Sequence, residues 1–321
     1  MAYEEFTLVK QHRDGTGFYY DVWYDGTYLY FACGADGIRA YTFDGANFTL
    51  KGTLDNGGLY KGVWGDGNYI YVACDMSGIR AYTFDGTNFT LKDTLDDGDM
   101  YIDVWGDGTY IYAACYFGGI RAYSFDGTDF TLEGTHDAGD NYVHVFGDGT
   151  YIYASRGGSG ICAYTFDGTN FTLKGTHDAG GTYNGIWCDG AYIYVACYNT
   201  GIRAYTFDGT NFTLKDTYNA GGDYRHVWGD GNYIYVAYGY TGIRAFTFDG
   251  TNFVLLDTQY EGSVPYFSVW GDGTYIYVAS GTNGAGKGGI FAYIFTPGAP
   301  PVGAGISGIS PGAMAKMMGV M

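Results

Sequence analysis

The sequence predicts an all-β protein made of seven repeated units, and three observations support this prediction. The pattern Asp-Gly-x-Tyr-(Ile/Leu)-Tyr recurs at a spacing of 41 residues five times and then of 42. We call the first aspartate of this pattern the anchor of its repeat. A second block, Gly-Ile-Arg-Ala-Tyr-Thr-Phe-Asp-Gly or a close variant, begins twelve residues after each of the first six anchors. The remaining runs are rich in Tyr, Val, Ile, Phe and Thr, which favour strands. Four short strands in each of seven units predict a seven-bladed β-propeller of four-stranded antiparallel blades.

The second repeat shows how strands and turns are assigned. Two Asp-Gly steps, at Asp66 and Asp85, begin tight turns, because Asp and Gly provide the backbone geometry that hairpins need. The apolar and β-branched runs around these turns predict four strands, at 60–64, 69–74, 79–84 and 89–94. The anchoring aspartates of the seven repeats are Asp25, Asp66, Asp107, Asp148, Asp189, Asp230 and Asp272.

The two ends of the chain predict how the ring closes. The seventh repeat reaches the end of its third strand at Phe295 and continues as Thr296-Pro297, without a fourth strand. The N-terminal segment supplies that strand, because Phe6-Thr7-Leu8 matches the Phe-Thr-Leu of the other fourth strands. We therefore expect a strand over 5–11 to complete the last blade and to remove an open sheet edge.

The repeats resemble seven-bladed propellers of the LVIVD and WD-repeat kind. The resemblance covers residues 1–296 and rests on the repeat length, the four strands per repeat and the N-terminal closing strand. It implies the propeller fold and a binding face rather than a particular reaction. Residues 297–321 lie outside the repeats and are expected to form a C-terminal tail.

Composition excludes several functions. The 321 residues include 34 acidic and 16 basic side chains, a net charge of −18, which argues against binding of a nucleic-acid backbone. The N-terminus has no basic segment followed by an apolar run, so we expect no signal peptide and synthesis in the cytoplasm. No stretch has the roughly 18 apolar residues of a membrane span.

The six cysteines are predicted to be free and mostly buried thiols. Four of them occupy one repeated position, and equivalent positions of neighbouring blades are too far apart for a disulfide. The sequence contains no CxxC pair, no EF-hand loop, no phosphate-binding loop and no catalytic serine or zinc-protease motif. We therefore expect no metal and no cofactor.

Positions that are alike in every repeat are predicted to build the scaffold. A first ring of aromatic residues contains all six tryptophans, and a second ring contains only tyrosines; both are expected to pack between blades. The first ring is Trp23, Trp64, Trp105, Phe146, Trp187, Trp228 and Trp270. The second ring is Tyr19, Tyr60, Tyr101, Tyr142, Tyr183, Tyr224 and Tyr266.

Two sets of repeated charges are predicted to pair with each other. Arginines open five third strands, at Arg39, Arg80, Arg121, Arg203 and Arg244. Acids stand eleven residues before six of the anchors, at Asp14, Asp55, Asp96, Asp137, Asp178 and Glu261. Repeats four and seven lack the arginine, and Arg156 and Lys287 in the adjacent loops are expected to compensate for it.

Positions that differ between repeats gather at one end of the blades, in the second-to-third loops and beside the central channel. A ligand site is expected there. Asp103 and His144, at the same position of adjacent blades, could form an acid–base pair or, with Asp21, bind a divalent cation, which is the alternative to the expectation of no metal and no catalytic residue. Loop aromatics are typical of a glycan-binding or protein-binding surface. The candidate ligand-binding residues are Asp21, Lys61, Asp103, His144, Asn184, Arg225, His226, Tyr116, Phe117, Tyr198, Tyr238 and Tyr240.

The tail contains one charge, Lys316, and four of the seven methionines. This composition predicts a flexible linker with a weakly apolar end, which we interpret as an anchor into a larger assembly. The candidate partner-binding residues of the tail are Met314, Met317, Met318, Val320 and Met321.

Together these features favour a non-enzymatic binding or structural module that is displayed on a larger assembly and anchored by its tail. A particle assembled in the cytoplasm, such as a virion, would fit both the free thiols and the expected lack of a signal peptide. Two alternatives stay open. One is a carbohydrate-binding lectin that uses the variable end, and the other is a hydrolase of the lactonase or glycosidase type with its site at the channel mouth.

Overall fold

The structure is a computed structural model, and it describes residues 4–13, 17–262, 264–282 and 288–296. Asp14, Lys287 and the tail from residue 297 lie outside the described residues, so the predictions made for them are not examined by the structure.

The described residues form 28 strands in seven four-stranded antiparallel sheets, which confirms the predicted propeller. The first three blades, from the inner to the outer strand, are β2 (Asp21–Tyr24), β3 (Leu29–Ala32), β4 (Ile38–Phe43), β5 (Phe48–Leu54); β6 (Gly62–Gly65), β7 (Ile70–Ala73), β8 (Ile79–Phe84), β9 (Phe89–Leu95); and β10 (Tyr101–Gly106), β11 (Ile111–Cys115), β12 (Gly119–Phe125), β13 (Phe130–His136). The next three are β14 (His144–Gly147), β15 (Ile152–Ser155), β16 (Ile161–Phe166), β17 (Phe171–His177); β18 (Ile186–Cys188), β19 (Ile193–Cys197), β20 (Gly201–Phe207), β21 (Phe212–Tyr218); and β22 (His226–Gly229), β23 (Ile234–Ala237), β24 (Ile243–Phe248), β25 (Phe253–Gln259). The seventh is β26 (Tyr266–Gly271), β27 (Ile276–Ser280), β28 (Gly289–Thr296) and β1 (Glu5–His12).

The N-terminal strand closes the ring as predicted. β1 pairs antiparallel with β28, from Glu5 opposite Thr296 to His12 opposite Ile290. The neighbouring blade also holds this strand, because Asp257 of β25 accepts the Phe6 N–H through Oδ2 at 2.7 Å. Closure therefore combines pairing within blade seven, a charged hydrogen bond and a Phe6–Tyr235 ring contact with blade six, and contacts of Lys10 and His12 with blade one.

Asp257→Ala is expected to loosen the closing strand selectively. The substitution leaves the partly buried Phe6 N–H without its acceptor, which costs about 1–3 kcal/mol. Asp93→Ala is the matched control, since Asp93 accepts the Phe130 N–H at 2.8 Å but β13 is held by the chain at both ends. Hydrogen exchange of the β1 amides should accelerate in Asp257→Ala and stay at the parent rate in Asp93→Ala. Equal exchange of β1 in both variants would contradict this account of closure.

The repeated anchor is explained by the chemistry of its turn. Asp25 accepts the N–H groups of Thr27 and Tyr28 through Oδ1, both at 2.7 Å, and accepts the Tyr30 hydroxyl through Oδ2 at 2.8 Å. The other six anchors make the same tyrosine contact. One carboxylate thus caps the turn and fixes the second tyrosine of the motif, as expected for a structural rather than a calcium-binding aspartate.

The tryptophan ring packs between blades, as predicted, and five of the six indoles, all except Trp270, lie over a glycine of the next blade. A methyl group at Gly65 would come within 2.7 Å of the Trp23 ring. The same close approach occurs at Gly106, Gly147, Gly229 and Gly271. Blade four carries Phe146 instead of tryptophan, and by the same register the residue that faces it in blade five is Cys188 instead of glycine. The smaller ring and the larger neighbour therefore complement each other.

The six cysteines are free and buried, in agreement with the sequence prediction. Burial raises the pKa of the Cys162 thiol to about 11, and Arg156 opposes part of this shift. Burial also raises the pKa of Cys74, Cys115, Cys188 and Cys197, so these five thiols are protonated near neutral pH and act as small apolar side chains.

Among the described residues, the arginines of blades two, three and five do not pair with the acids predicted for them. Arg80 donates through Nη1 to the Tyr60 hydroxyl at 2.8 Å and to the Gly57 carbonyl at 2.7 Å. Asp55, its predicted partner, accepts the Gly57 N–H at 2.7 Å. The prediction is wrong here because the carboxylate caps its own turn, while loop carbonyls and a buried tyrosine satisfy the guanidinium. The same turn contact occupies Asp96, Asp137 and Asp178.

Among the described residues, Arg121 of blade three and Arg156 of blade four have carboxylate partners at this end of their blades. Arg121 forms ion pairs with Asp97 and Asp99, which follow the predicted Asp96. In blade four Arg156 lies 2.5 Å from Asp140, and it is buried. Arg156 therefore provides the cation that this blade lacks at its third strand, as the sequence indicated.

Candidate binding face and the central channel

One residue at the start of each inner strand surrounds the mouth of the channel. We call these seven residues the rim: Tyr20, Lys61, Ile102, Val143, Asn184, Arg225 and Phe267. The Arg225 guanidinium lies 4.9 Å from the Phe267 ring centroid, and the Phe267 and Tyr20 rings stack at 5.3 Å. The Lys61 Nζ lies 4.0 Å from the Tyr20 centroid. A continuous cation–aromatic–aromatic–cation stack therefore occupies more than half of the rim, beside the aliphatic Ile102 and Val143.

Acids at both ends of this stack reduce its positive charge. Arg225 lies 3.3 Å from Asp223, and Lys61 lies 4.0 Å from Asp75. Burial lowers the pKa of Lys61, and Asp75 opposes this effect. The stack therefore presents flat, mostly apolar surfaces with weak positive charge.

Exposed aromatic side chains extend the rim outward along the loops. Phe18 stacks on Tyr20 at 5.6 Å. Phe117 is 63% exposed, Tyr240 is 50% exposed, and Tyr198 is 37% exposed. Tyr198 also lies under the Arg225 guanidinium, at 5.9 Å. Large apolar surface of this kind marks interaction sites more often than catalytic ones.

Three candidate residues have mainly structural contacts. Tyr238 is 3% exposed, because its ring lies 3.6 Å under the Arg244 guanidinium, so it departs from the expectation of a surface aromatic. Tyr116 packs edge-on against Phe117 at 4.8 Å. Asn184 is a rim residue whose amide donates to the Tyr224 carbonyl at 3.2 Å.

A second ring of residues lies inside the channel, one step below the rim. We call it the plug: Asp21, Gly62, Asp103, His144, Gly185, His226 and Ser268. Asp21 accepts the Val63 N–H at 2.9 Å and the Ser268 hydroxyl at 2.6 Å. Asp103 accepts the Val145 N–H at 2.9 Å. These bonds link blades seven, one and two on one side and blades three and four on the other.

The two histidines meet across the channel, with their Nε2 atoms 3.0 Å apart. Only one of the two can carry the proton between them. Equivalent backbone N–H groups face the two Nδ1 atoms, that of Val269 at His226 and that of Ile186 at His144, both at 3.4 Å. His144 Nδ1 also lies 3.5 Å from Asp103 Oδ2. The predicted acid–base neighbours Asp103 and His144 are thus brought together within a longer hydrogen-bonded chain.

Burial controls the protonation of the plug. It raises the pKa of Asp103 to about 7, an effect that hydrogen bonds from Val145 and Val104 oppose. It raises the pKa of Asp21 to about 6, opposed by His226. Burial also lowers the pKa of both His144 and His226 to about 3. The histidines are therefore neutral at pH 7, and the two acids change charge near it.

The plug fills the channel closely. A methyl group at Gly62 would lie 2.8 Å from the Asp103 Cα, and one at Gly185 would lie 2.7 Å from the His226 Cα. The remaining cavity is about 30 Å³. Small-molecule sites usually have about 300–1,000 Å³, and one water needs about 10–15 Å³. The channel therefore has room for water but not for a substrate.

The described residues contain no group of three or more His, Cys, Asp or Glu side chains that is arranged to hold a metal ion. In the same residues, no helix has the length and apolar character to cross a membrane.

Four residues of this face were not singled out from the sequence. Phe18, Tyr20 and Phe267 build the aromatic stack, and Ser268 completes the plug. Tyr20, Phe267 and Ser268 stand at the same variable positions as the predicted Asp21 and Lys61. The sequence signal that could have identified these residues was their position in the repeat rather than their residue type.

The fold defines the class of this protein as a seven-bladed β-propeller. Among solved structures, the chain is similar to the WD40 β-propeller domain of Doa1, with a TM-score of 0.70 over 90% of this chain and 96% of that chain. The identity is 12%, so the similarity concerns the fold alone. Comparisons with protein families and with curated protein sequences found no match.

Proposed function

We propose that the protein is a non-enzymatic module that binds a partner protein on the rim and the exposed aromatics around it. The observation that carries the proposal is the stack of Arg225, Phe267, Tyr20 and Lys61 at the channel mouth. Aromatic and arginine side chains supply most of the binding energy at protein interfaces. The shallow mouth beside this stack accommodates an apolar or aromatic side chain of the partner.

The plug argues against the hydrolase alternative. Asp103 and His144 are the most reactive pair, yet the cavity beside them is about 30 Å³. Asp103 also serves as the acceptor for the Val145 N–H. These groups are better explained as internal hydrogen bonds that close the channel.

A binding measurement tests this proposal. Partners recovered with the full chain from its native source are purified, and their Kd is measured for the parent, Arg225→Ala and Thr109→Ala. Arg225→Ala is expected to weaken binding about tenfold or more, as for other central interface arginines. Thr109→Ala lies in a turn at the opposite end of the blade and should change the Kd less than about twofold. Equal effects of both substitutions would contradict the proposal.

Three further variants distinguish the lectin and hydrolase alternatives from protein binding. Binding to a glycan array that is abolished by Tyr198→Ala and Tyr240→Ala, with no protein partner recovered, would replace a protein ligand by a carbohydrate. Turnover of a lactone or glycoside that is lost in His144→Ala would instead establish an enzyme.

We further propose that the tail attaches the propeller to a larger assembly, such as a virion, through its methionine-rich end. The support is its composition, with one charge and four methionines in residues 297–321. A chain that ends at Pro301 should bind the rim partner as the parent does and fail to enter the assembly. Normal incorporation of that shortened chain would overturn the anchoring role.

A further inference from the structure

Six of the seven blade junctions share one contact at the end of the propeller opposite the rim. The tyrosine of each first turn places its hydroxyl over the glycine of the third-to-fourth turn in the next blade. A methyl group at Gly86, for example, would come within 2.8 Å of the Tyr28 hydroxyl. The other pairs are Tyr69 with Gly127, Tyr110 with Gly168, Tyr151 with Gly209, Tyr192 with Gly250, and Tyr275 with Gly45.

The junction between blades six and seven is different, because blade seven has no third-to-fourth turn. Its third strand, β28, ends at Thr296, and its fourth strand, β1, begins at Glu5 at the other end of the chain. A cavity of about 160 Å³ is present at this junction. Five of its nine lining residues are aromatic: Trp228, Tyr233, Tyr235, Tyr275 and Phe295.

The strand register shows which position of the usual turn Pro297 corresponds to in the sequence. Phe295 pairs with Phe6 as Phe43 pairs with Phe48 in blade one. In the sequence, residue 297 therefore corresponds to Gly45. The glycine at this position lies under a tyrosine hydroxyl in the other six junctions. Gly45 has a φ of +90°, which a proline cannot adopt. A proline at this position is therefore incompatible with the backbone geometry of the usual turn.

We propose that this cavity is the docking site of the chain's own proline-rich segment, residues 297–301 (Pro-Gly-Ala-Pro-Pro). Aromatic-lined grooves suit proline-rich segments, because the rings stack on pyrrolidines and the extended conformation is already favoured. The segment is joined directly to β28, so its local concentration at the cavity is high.

The indole of Trp228 belongs to the cavity wall, and its Nε1–H, like that of Trp23 in a complete junction, has no hydrogen-bond partner among the described residues. Docking of residues 297–301 would complete the closing junction and direct residues 302–321 away from the propeller.

A double-mutant cycle on the full chain tests the proposal. Chains that end at Thr296, at Pro301 and at Met321 are compared by urea unfolding, each with and without Tyr233→Ala. Ending the chain at Pro301 should leave stability unchanged. Ending it at Thr296 should raise the unfolding equilibrium constant about tenfold, the effect of losing one or two buried apolar groups. In Tyr233→Ala the same truncation should have less than about a twofold effect, because the contact surface is already lost.

Tyr151→Ala is the matched control, since Tyr151 covers Gly209 in a complete junction. Its destabilisation should add to that of the truncation without coupling. Hydrogen exchange at 273–276 should also accelerate when the chain ends at Thr296. The proposal is overturned if the Thr296 truncation has no effect, or if it couples equally to Tyr151→Ala and Tyr233→Ala. Coupling of Tyr233→Ala to removal of residues 1–3 alone would assign the cavity to the N-terminus instead.

Discussion

Phe146→Trp is expected to destabilise the propeller by about 1–3 kcal/mol, although it restores the residue found in every other blade. The reason is the residue that faces this ring in blade five. Cys188 stands there, at the position where five of the six indoles, all except Trp270, meet a glycine. A larger ring at position 146 would be forced against the Cys188 side chain. Combining Phe146→Trp with Cys188→Gly should recover most of the lost stability, measured as the midpoint of urea unfolding.

The preceding junction provides the reverse experiment. Gly147→Cys should destabilise the protein, because its Cβ would lie 2.5 Å from the Trp105 ring. Adding Trp105→Phe should relieve that clash by recreating the Phe–Cys pair of the next junction. If Phe146→Trp costs the same with and without Cys188→Gly, the two residues do not form a complementary pair.

Asp103→Asn should make the stability of the protein fall by about 2 kcal/mol more than that of the parent when the pH is lowered from 7 to 5. Asp103 has a pKa of about 7 in the folded state. Its unfolded value is near 3.8, so between pH 7 and 5 the folded parent gains a proton that the unfolded chain does not. Proton uptake by the folded state stabilises it as the pH falls, and the asparagine variant loses this contribution while it can still accept the Val145 N–H.

The two histidines act in the opposite direction over the same range. Their pKa values are about 3 in the folded state, below the ordinary value of 6.5, so the unfolded chain takes up protons first and folding is weakened as the pH falls. In the parent the acids offset this effect, and in Asp103→Asn the histidine effect dominates. Asp21→Asn should show a smaller change, since Asp21 has a pKa of about 6. Parallel stability–pH curves for the parent and Asp103→Asn would contradict this assignment.

The repeat made the architecture predictable. Two Asp-Gly turns per unit, four strand-forming runs and the Phe6-Thr7-Leu8 match are enough to define the blades and the closing strand from the sequence alone. Such features are local or follow from comparing copies within one chain, so they need no knowledge of side-chain packing.

Side-chain contacts in the loops were harder to predict. Arg80 and Asp55 were paired by sequence position, but the carboxylate caps its own turn at Gly57. Tyr238 was placed on the surface by its loop, but Arg244 covers its ring. Both outcomes depend on side-chain directions that a spacing of residues does not contain.

The channel also shows why variation between repeats is an imperfect sign of a binding site. Asp103, His144 and His226 vary because one narrow channel must be filled by different side chains from each blade. Glycines at 62 and 185 leave the necessary room for their neighbours. Packing is therefore sufficient to explain the variation at the plug, and the binding role of the rim stays a proposal.

A site-specific cross-linking experiment tests the binding role of the rim most directly. A photo-crosslinking amino acid is introduced at position 267 in the rim, and in a second variant at position 109 in the Asp-Gly turn at the opposite end. We expect one protein to be cross-linked from position 267 in the native source, and the Arg225→Ala substitution to reduce that product strongly. No product is expected from position 109. Cross-linking of the same protein from position 109 and not from position 267 would contradict the assignment of the rim as the binding face.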